Sequence, residues 1–340
     1  MTARIDEICS PASQLRGKGG WARAIGLLVG QMALALSCAA ADYPVKPVKL
    51  VIPFGPGSAS DIIVRRMAPK MTENLGQPVV IENRPGGGGN IAAEAVLSSA
   101  PDGYTVFMGS TASHAAGPHL LASISYDPFK AFVPVAKMAS YSFALVTSAS
   151  LNLKTVSDLL AYAKASKAPV SYASAGVGSS AHVFGLAFEN ATGLQLTHVP
   201  YTSPAAALVD LSTGRVTFMF YVFNALQPLI LAGKLSVLAT TGPKREVYLP
   251  DAPTMLEAGI PNFIWTSWFG MFAPANTPRA VVARLSEAVA AAGNDPGVAR
   301  ELAAGGVDTT PSTPAELDSL SRSEFERYRK LFQAAGIKPQ

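Results

Sequence analysis

Three stretches of the chain join glycine to hydroxyl side chains in an order that suits an anion. The first, Pro53-Phe54-Gly55-Pro56-Gly57-Ser58-Ala59-Ser60-Asp61, follows the apolar run Val48–Ile52 and precedes a helical pattern. A helix released there exposes backbone N–H groups without intrahelical partners at the positive end of its dipole, and Ser58 and Ser60 add hydroxyl donors. The plainer reading is that Gly55 and Gly57 make the turn while Ser60 or Asp61 caps the helix. Asp61 reads as a cap rather than as an acid catalyst. The second stretch, Ser174-Ala175-Gly176-Val177-Gly178-Ser179-Ser180-Ala181-His182, again sets small residues before a helix, and Gly176 and Gly178 let the backbone approach a ligand closely. The third is Gly109-Ser110-Thr111-Ala112-Ser113-His114. One such turn is weak evidence, but two in separate α/β series suggest a ligand held between them.

Other chemistries lack their residues. The Gly86–Gly89 run has no Gly-Lys-Ser/Thr ending and Gly55-x-Gly57 has no third spaced glycine, which argues against a nucleotide. There is no His-Glu-x-x-His, no Gly-x-Ser-x-Gly elbow and no acidic metal loop, so neither a metal nor a cofactor is expected. The histidines, His114, His119, His182 and His198, are dispersed and read as hydrogen-bonded structural residues. A Ser–His–Asp site built from Ser113 or Ser179 with His114 or His182 stays open, because triads are defined by geometry and not by order, but nothing favours it. Phe54, Tyr201, Tyr221, Trp265 and Trp268 are candidates to line a cleft, against the default of core packing.

The elements that must position these turns follow from composition and periodicity. Of 340 residues, 49% are hydrophobic and 15% charged, against roughly 25% charged in typical domains, so a large packed core is expected and disorder is excluded. Half of the formal charge of +4 lies in residues 1–41, leaving no basic stripe for nucleic acid. That leading segment runs from basic Arg16–Arg23 through the 13-residue apolar run Ala24–Leu36 to Ala39-Ala40-Ala41, the order of a secretory signal peptide. The run is shorter than the roughly 18 residues a membrane span needs. A lipoprotein anchored through Cys38 is the alternative, disfavoured by Ala35 where such signals usually carry Leu. Cys9 and Cys38 are the only cysteines, so a processed chain would have neither a disulfide nor a thiol nucleophile.

Beyond Asp42, β-branched runs alternate with helical patterns, as in a largely parallel sheet covered by helices. The predicted first series has strands at Val48–Ile52, Val79–Ile81 and Thr105–Met108, a helix from Ser60 or Asp61 to Gly76, and a helix capped by Asn90. The second has strands at Phe143–Val146, Val170–Ala173, His198–Tyr201, Val216–Val222 and Leu235–Thr240. Its helices open at Thr155 with Asp158 in a capping-box position, run from Ser180 to Thr192 before Gly193, and run from Pro204 to Leu211 behind Ser203. Trp268–Phe272 then reads as a return strand, followed by helices begun at Thr277-Pro278 and Thr313-Pro314-Ala315-Glu316. Two α/β lobes fit this order better than one sheet of ten strands.

At these turns the chain strongly resembles the substrate-binding proteins of tripartite tricarboxylate transporters, the Bug-type extracytoplasmic receptors. The resemblance covers residues 43–340. It rests on Val51-Ile52-Pro53-Phe54 with Gly57 and Asp61, Glu82-Asn83-Arg84-Pro85-Gly86 with Gly88-Gly89-Asn90, Pro101-Asp102-Gly103-Tyr104-Thr105, Gly176 with Gly178-Ser179 and His182, His198-Val199-Pro200-Tyr201, Ala232-Gly233-Lys234-Leu235, and Pro253-Thr254 with Glu257-Ala258-Gly259. It implies a hinged, two-lobed α/β periplasmic-binding-protein fold of type II, with residues 42–145 plus 266–340 in one lobe and 146–265 in the other. It implies capture of a small organic ligand, usually a carboxylate, and delivery to integral-membrane transporter subunits. The carboxylate site maps onto Phe54, Gly57, Ser58, Ser60, Asp61, Ser110, Thr111, Ser113 and His114, with Gly176, Gly178, Ser179 and Ser180 closing over the ligand and Tyr201 and Tyr221 beside it.

The departures bear on the ligand. This chain has Gly57-Ser58 where the family commonly has Gly-Gly, Thr202-Ser203 where it has Lys-Gly, and Tyr221 near a position that is often acidic. Loss of that acid disfavours an amino-acid ligand and permits an aromatic or apolar one. No catalytic residue, cofactor, metal or nucleic-acid partner is expected, and a monomer is. Phe143–Ser148 and Trp265–Phe272 are the hinge candidates, and Arg65 and Arg84 read as structural. Two rival readings are an exported hydrolase on the same fold and a ligand-sensing receptor without transport.

Overall fold

Apolar runs bounded by glycine and proline become strands because only a sheet covered on both faces can bury them. The computed structural model describes residues 43–121, 124–176, 179–201, 204–337 and 339; the leader at 1–41, Gly178 and the Thr202-Ser203 pair lie outside them. Eleven strands are seen among the described residues: β1 (Val48–Ile52), β2 (Val79–Asn83), β3 (Thr105–Ser110), β4 (Phe132–Ser142), β5 (Ala144–Ser148), β6 (Val170–Ser174), β7 (Leu196–Pro200), β8 (Phe218–Tyr221), β9 (Leu235–Thr240), β10 (Thr266–Pro274) and β11 (Val307–Asp308). They form two sheets, ordered β11-β4-β10-β3-β1-β2 and β7-β6-β8-β5-β9. Pairing is parallel from β1 to β2 and β3, and from β6 to β7 and β8. The strands that enter each sheet from the other break this rule: β10 is antiparallel to β3 and β4, and β5 to β8 and β9.

The longest strand, β4, escapes the periodicity reading. Pro134 and Lys137 interrupt its apolar pattern, and Pro cannot donate to a ladder. The register slips opposite that stretch, between Met271 and Phe272 of β10, which accommodates the proline.

The helix caps also differ in detail from expectation. The Ala59–Leu75 helix is capped by Ser58, not Ser60 or Asp61, and ends at Gly76 with φ 71°. Gly89, not Asn90, is the N-cap of the Asn90–Leu97 helix; Asn90 is its first residue and has no capping role. The capping boxes at Thr155/Asp158 and Thr313/Glu316 form as read, as does the Ser180–Thr192 helix.

Between the sheets the chain crosses at Phe143 and again between Thr240 and Thr266. Thr241 laces these crossings together. Its N–H donates to Phe143 O (2.8 Å), its hydroxyl accepts from Phe143 N (2.9 Å) and donates to Trp265 O (2.5 Å), and its carbonyl accepts from Trp265 N (2.9 Å). The last helix, Pro314–Ala334, touches two cores. Leu317 packs with Phe107, Phe132, Trp268 and Phe272 against the first sheet. Tyr328 and Phe332 pack with Phe184, Phe188, Phe218 and Trp265 against the second. Each fully buried aromatic of this kind stabilises the fold by about 2–3 kcal/mol.

Candidate functional site

Ser58 begins the first turn's helix in an extended conformation (φ −69°, ψ 163°), its Oγ accepting from Asp61 N at 3.4 Å and lying 3.0 Å from Ser60 Oγ. Asp61 answers from the third helical position: its Oδ2 accepts from Gly57 N at 3.0 Å. Its Oδ1 accepts from Arg65 Nε (2.9 Å) and Asn83 Nδ2 (3.0 Å), and Asn83 Nδ2 also donates to Phe54 O (2.9 Å). The Arg65 hydrogen bond is the largest cause holding the Asp61 carboxyl at about 2; burial opposes it, and Gly57 and Asn83 add to it. Both carboxylate oxygens are therefore engaged, and Asp61 fixes the turn. Ser60 is buried. At the helix head, the N–H groups of Ala59 and Ser60 have no intrahelical acceptors, which is the feature that attracts an anion.

After β3, Ser110, Thr111, Ser113 and His114 are all buried. Ser113 Oγ accepts from Ser110 N at 2.9 Å and lies 3.2 Å from Ser110 O and 2.9 Å from His114 Nδ1. Thr111 Oγ1 accepts from Trp268 N at 3.0 Å, tying the loop to β10. The His114 ring stacks on Phe272 with centroids 3.9 Å apart, among Phe107, Phe132 and Trp268. Burial alone pushes it down to about 3, so it is neutral at physiological pH. Its Nε2 has no hydrogen-bond partner among the described residues, so the Ser113–His114 pair has no carboxylate behind it of the sort a catalytic triad uses.

In the second lobe, Ser174 Oγ accepts from Gly176 N at 3.0 Å and lies 2.6 Å from His198 Nε2. Ser179 caps the following helix, accepting from His182 N (3.4 Å) while its hydroxyl donates to Gly176 O (2.7 Å). Gly176 has φ +104°, a conformation that disfavours any side chain. The His182 and His198 rings stack at 4.0 Å. Burial, and secondarily His198, pushes His182 down to about 4. Tyr201 donates its hydroxyl to Asp210 Oδ2 at 2.8 Å, and Asp210 also takes Arg215.

Between the lobes lies a set of residues that the sequence reading missed. Ser180 Oγ, at the head of the second-lobe helix, is 3.3 Å from Ser267 Oγ on β10. Ser267 pairs in register with Tyr141 of β4, and the two side chains share a hydrogen bond. Burial pushes the Tyr141 phenol up to about 12, with the nearby Tyr221 adding to the rise. Phe269 stands between them and the first turn, its ring centroid 5.8 Å from Tyr141 and 6.5 Å from Phe54. Phe54, Ser180 and Tyr221 are thus brought to one neighbourhood, whereas Asp61, His114 and Tyr201 are engaged within their own lobes. Only strand pairing reveals Tyr141, Ser267 and Phe269; Ala139-Ser140-Tyr141-Ser142 carries no local signal.

Among the described residues no group of three His, Cys, Asp or Glu could hold a metal ion, and no helix is long and apolar enough to cross a membrane. Two α/β sheets exchanging strands, with glycine- and hydroxyl-bearing helix heads at their carboxyl ends, define a two-lobed solute-binding protein of the periplasmic-binding class. The family model described as "Tripartite tricarboxylate transporter family receptor" matches residues 63–337. The chain belongs to this family. It is 32% identical to protein BugT of Bordetella pertussis over 92% of this chain and 97% of that one. Among solved structures it resembles R. palustris Rpa4515 with adipate (TM-score 0.76, 34% identity, 88% of this chain and 100% of that one). It also resembles the periplasmic binding protein BugD (TM-score 0.72, 31% identity, 88% and 100%), and MatC from Rhodopseudomonas palustris with bound malate (TM-score 0.70, 31% identity, 85% and 99%).

Proposed function

We propose that this protein is an exported receptor that captures a small organic carboxylate between its lobes and delivers it to the membrane subunits of a tripartite tricarboxylate-type transporter. The observation that carries this reading is the Ser180–Ser267 contact, 3.3 Å across the lobes, which sets the second-lobe helix head beside β10 and the first-lobe turns. The ligand's carboxylate is bound by the N–H groups at the head of the Ala59–Leu75 helix and by the Ser58 hydroxyl, with Gly176, Ser179 and Ser180 closing from above and Tyr221 beside the body of the ligand. The acids in the adipate and malate neighbours support this ligand class. Residues 42–145 with 266–340 form one moving lobe and 146–265 the other. Only the closed arrangement gives the ligand contacts to both, so its differential affinity drives closure.

A non-catalytic role is supported by the saturated Asp61 and the neutral, carboxylate-free Ser113–His114 pair. A thermal-shift screen of the exported chain against mono-, di- and tricarboxylates, aromatic acids and amino acids tests the reading, since binding to the native state raises the melting temperature. The expected result is a saturable rise with one class of carboxylate and no turnover. No rise with any acid, or conversion of a hit to product, overturns it.

A further inference from the structure

A second cavity lies away from the helix heads. It encloses about 390 Å³ and lies where the β4–β11 edge of the first sheet meets residues 243–248, the segment that follows β9. In the first sheet β4 and β10 separate it from β3 and β1, whose carboxyl ends carry the anion-ready turns. We infer that this rear cavity is a second binding site, for a zwitterionic α-amino acid.

The argument rests on opposite charges held apart. Lys137 and Lys244 line the cavity, and neither ammonium has a carboxylate within 4 Å among the described residues. Glu246 and Asp308 line it too, and each is bonded through one oxygen to a neutral neighbour. Ser142 donates to Glu246 Oε1 at 2.5 Å, and Thr310 donates its N–H and its hydroxyl to Asp308 Oδ1 at 2.9 and 2.6 Å. Glu246 Oε2 and Asp308 Oδ2 are left for a ligand. Arg245, the other cation on the rim, is already paired with Glu257 at 2.9 Å. Two ammonium groups and two half-used carboxylates around one space match a molecule that carries both charges. Lys244 and Asp308 are exposed and Lys137 and Glu246 half-buried, so a ligand with a single charge would engage only one of the two signs on offer.

The walls supply the rest of the recognition. Trp268 and Leu320 form an apolar side, and the Tyr248 ring closes another, packed so tightly on Gly306 that a Cβ there would meet ring atoms at 3.0 to 3.2 Å. The Tyr248 hydroxyl lies 3.2 Å from Ser142 Oγ, so the same serine holds both the acid and the ring. The volume lies in the range of roughly 300–1,000 Å³ usual for small-molecule sites and leaves room for an apolar amino-acid side chain.

The test uses three probes with one skeleton: L-phenylalanine, 3-phenylpropionate and 2-phenylethylamine, with L-leucine and L-alanine to vary side-chain size. Binding to the exported chain is followed by titration calorimetry. One amino acid is expected to bind saturably at one equivalent, with phenylalanine at least tenfold tighter than either single-charge analogue. Lys244→Ala and Glu246→Gln should each weaken it at least fivefold, with the melting temperature kept within a few degrees, and Lys137→Ala serves as a second cation variant should Glu246→Gln destabilise the fold. Absence of saturable binding for all three amino acids, binding of the single-charge analogues that equals phenylalanine's and is lost with Lys244→Ala or Glu246→Gln, or amino-acid binding that ignores both lysine substitutions overturns the inference.

Discussion

Apart from Asp61, whose carboxylate is taken up by Gly57, Arg65 and Asn83, the cleft segments 53–61, 110–114 and 174–180 contain no lysine, arginine, aspartate or glutamate, whereas Lys137, Lys244, Glu246 and Asp308 gather at one cavity by the β4–β11 edge. The cleft turns follow β1, β3 and β6 while the cavity sits at the β4–β11 edge, so the two regions differ in scaffold as well as in chemistry. The cleft offers oriented N–H groups and hydroxyls, fixed in place by bonds such as Ser58–Asp61 and Thr111–Trp268. On the proposed reading such a site holds a carboxylate without a counter-ion, and its selectivity comes from geometry. The rear cavity offers whole charges of both signs with no ion pair between them inside 4 Å, and the selectivity inferred for it comes from charge balance.

The largest effect that would break this contrast comes from Asp61. Asp61→Ala removes the acceptor for Gly57, Arg65 and Asn83, and should lower stability by about 2–4 kcal/mol and abolish carboxylate binding, read by thermal melting and calorimetry. The pH dependence has a definite sign. The folded carboxyl sits at about 2 against an ordinary value of 3.8, so its stabilisation is present above about pH 4 and lost as pH falls toward 2. The acid-unfolding curves of wild type and Asp61→Asn should therefore differ above pH 4 and converge near pH 2.

Salt sharpens the comparison next. Raising ionic strength from about 0.02 to 0.5 M should weaken amino-acid binding at the rear cavity roughly tenfold while changing carboxylate binding in the cleft less than about threefold, because screening acts on full charges more than on oriented dipoles. Equal salt slopes at the two sites would erase the distinction. A smaller effect is expected from Ser267→Ala, which removes the hydroxyl joining Tyr141 to Ser180. Loss of one such bond should weaken carboxylate affinity by about five- to tenfold, mostly through faster release, as seen by stopped-flow fluorescence of the hinge tryptophans. The smallest change should follow from pH between 6 and 8. His114 and His182, pushed down to about 3 and about 4 by burial, stay neutral across that range, and carboxylate affinity should be flat within about twofold.

How far the sequence could be read depended on whether the signal was local. Thr155 with Asp158, Thr313 with Glu316, and Gly193 after Thr192 each mark a helix end within one turn of chain, whereas the first helix, read from Ser60 or Asp61, is capped at Ser58. The membership of the family and the two-lobed class were legible for the same reason, since the turns that carry them are short and chemically distinctive. The side-chain roles were less so: Asp61 and His114 sit in the expected motifs, but beyond Arg65, four residues along the same helix, their bonds and burial come from Asn83, Phe272 and Trp268, which lie on other strands.

The amino-acid order by itself determined the apolar strands other than β4, the Thr155 and Thr313 capping boxes and the glycine–serine turns, because a turn or a cap is decided by residues three or four apart. Only the tertiary structure decided which turns face one another. Tyr141 meets Ser267 because β4 and β10 pair at a separation of 126 residues, Thr241 ties the crossings through bonds of 98 and 24 residues' separation, and the last helix spans both cores. Long-range pairing is set by the burial of whole sheets, a collective quantity to which no single stretch of sequence has access.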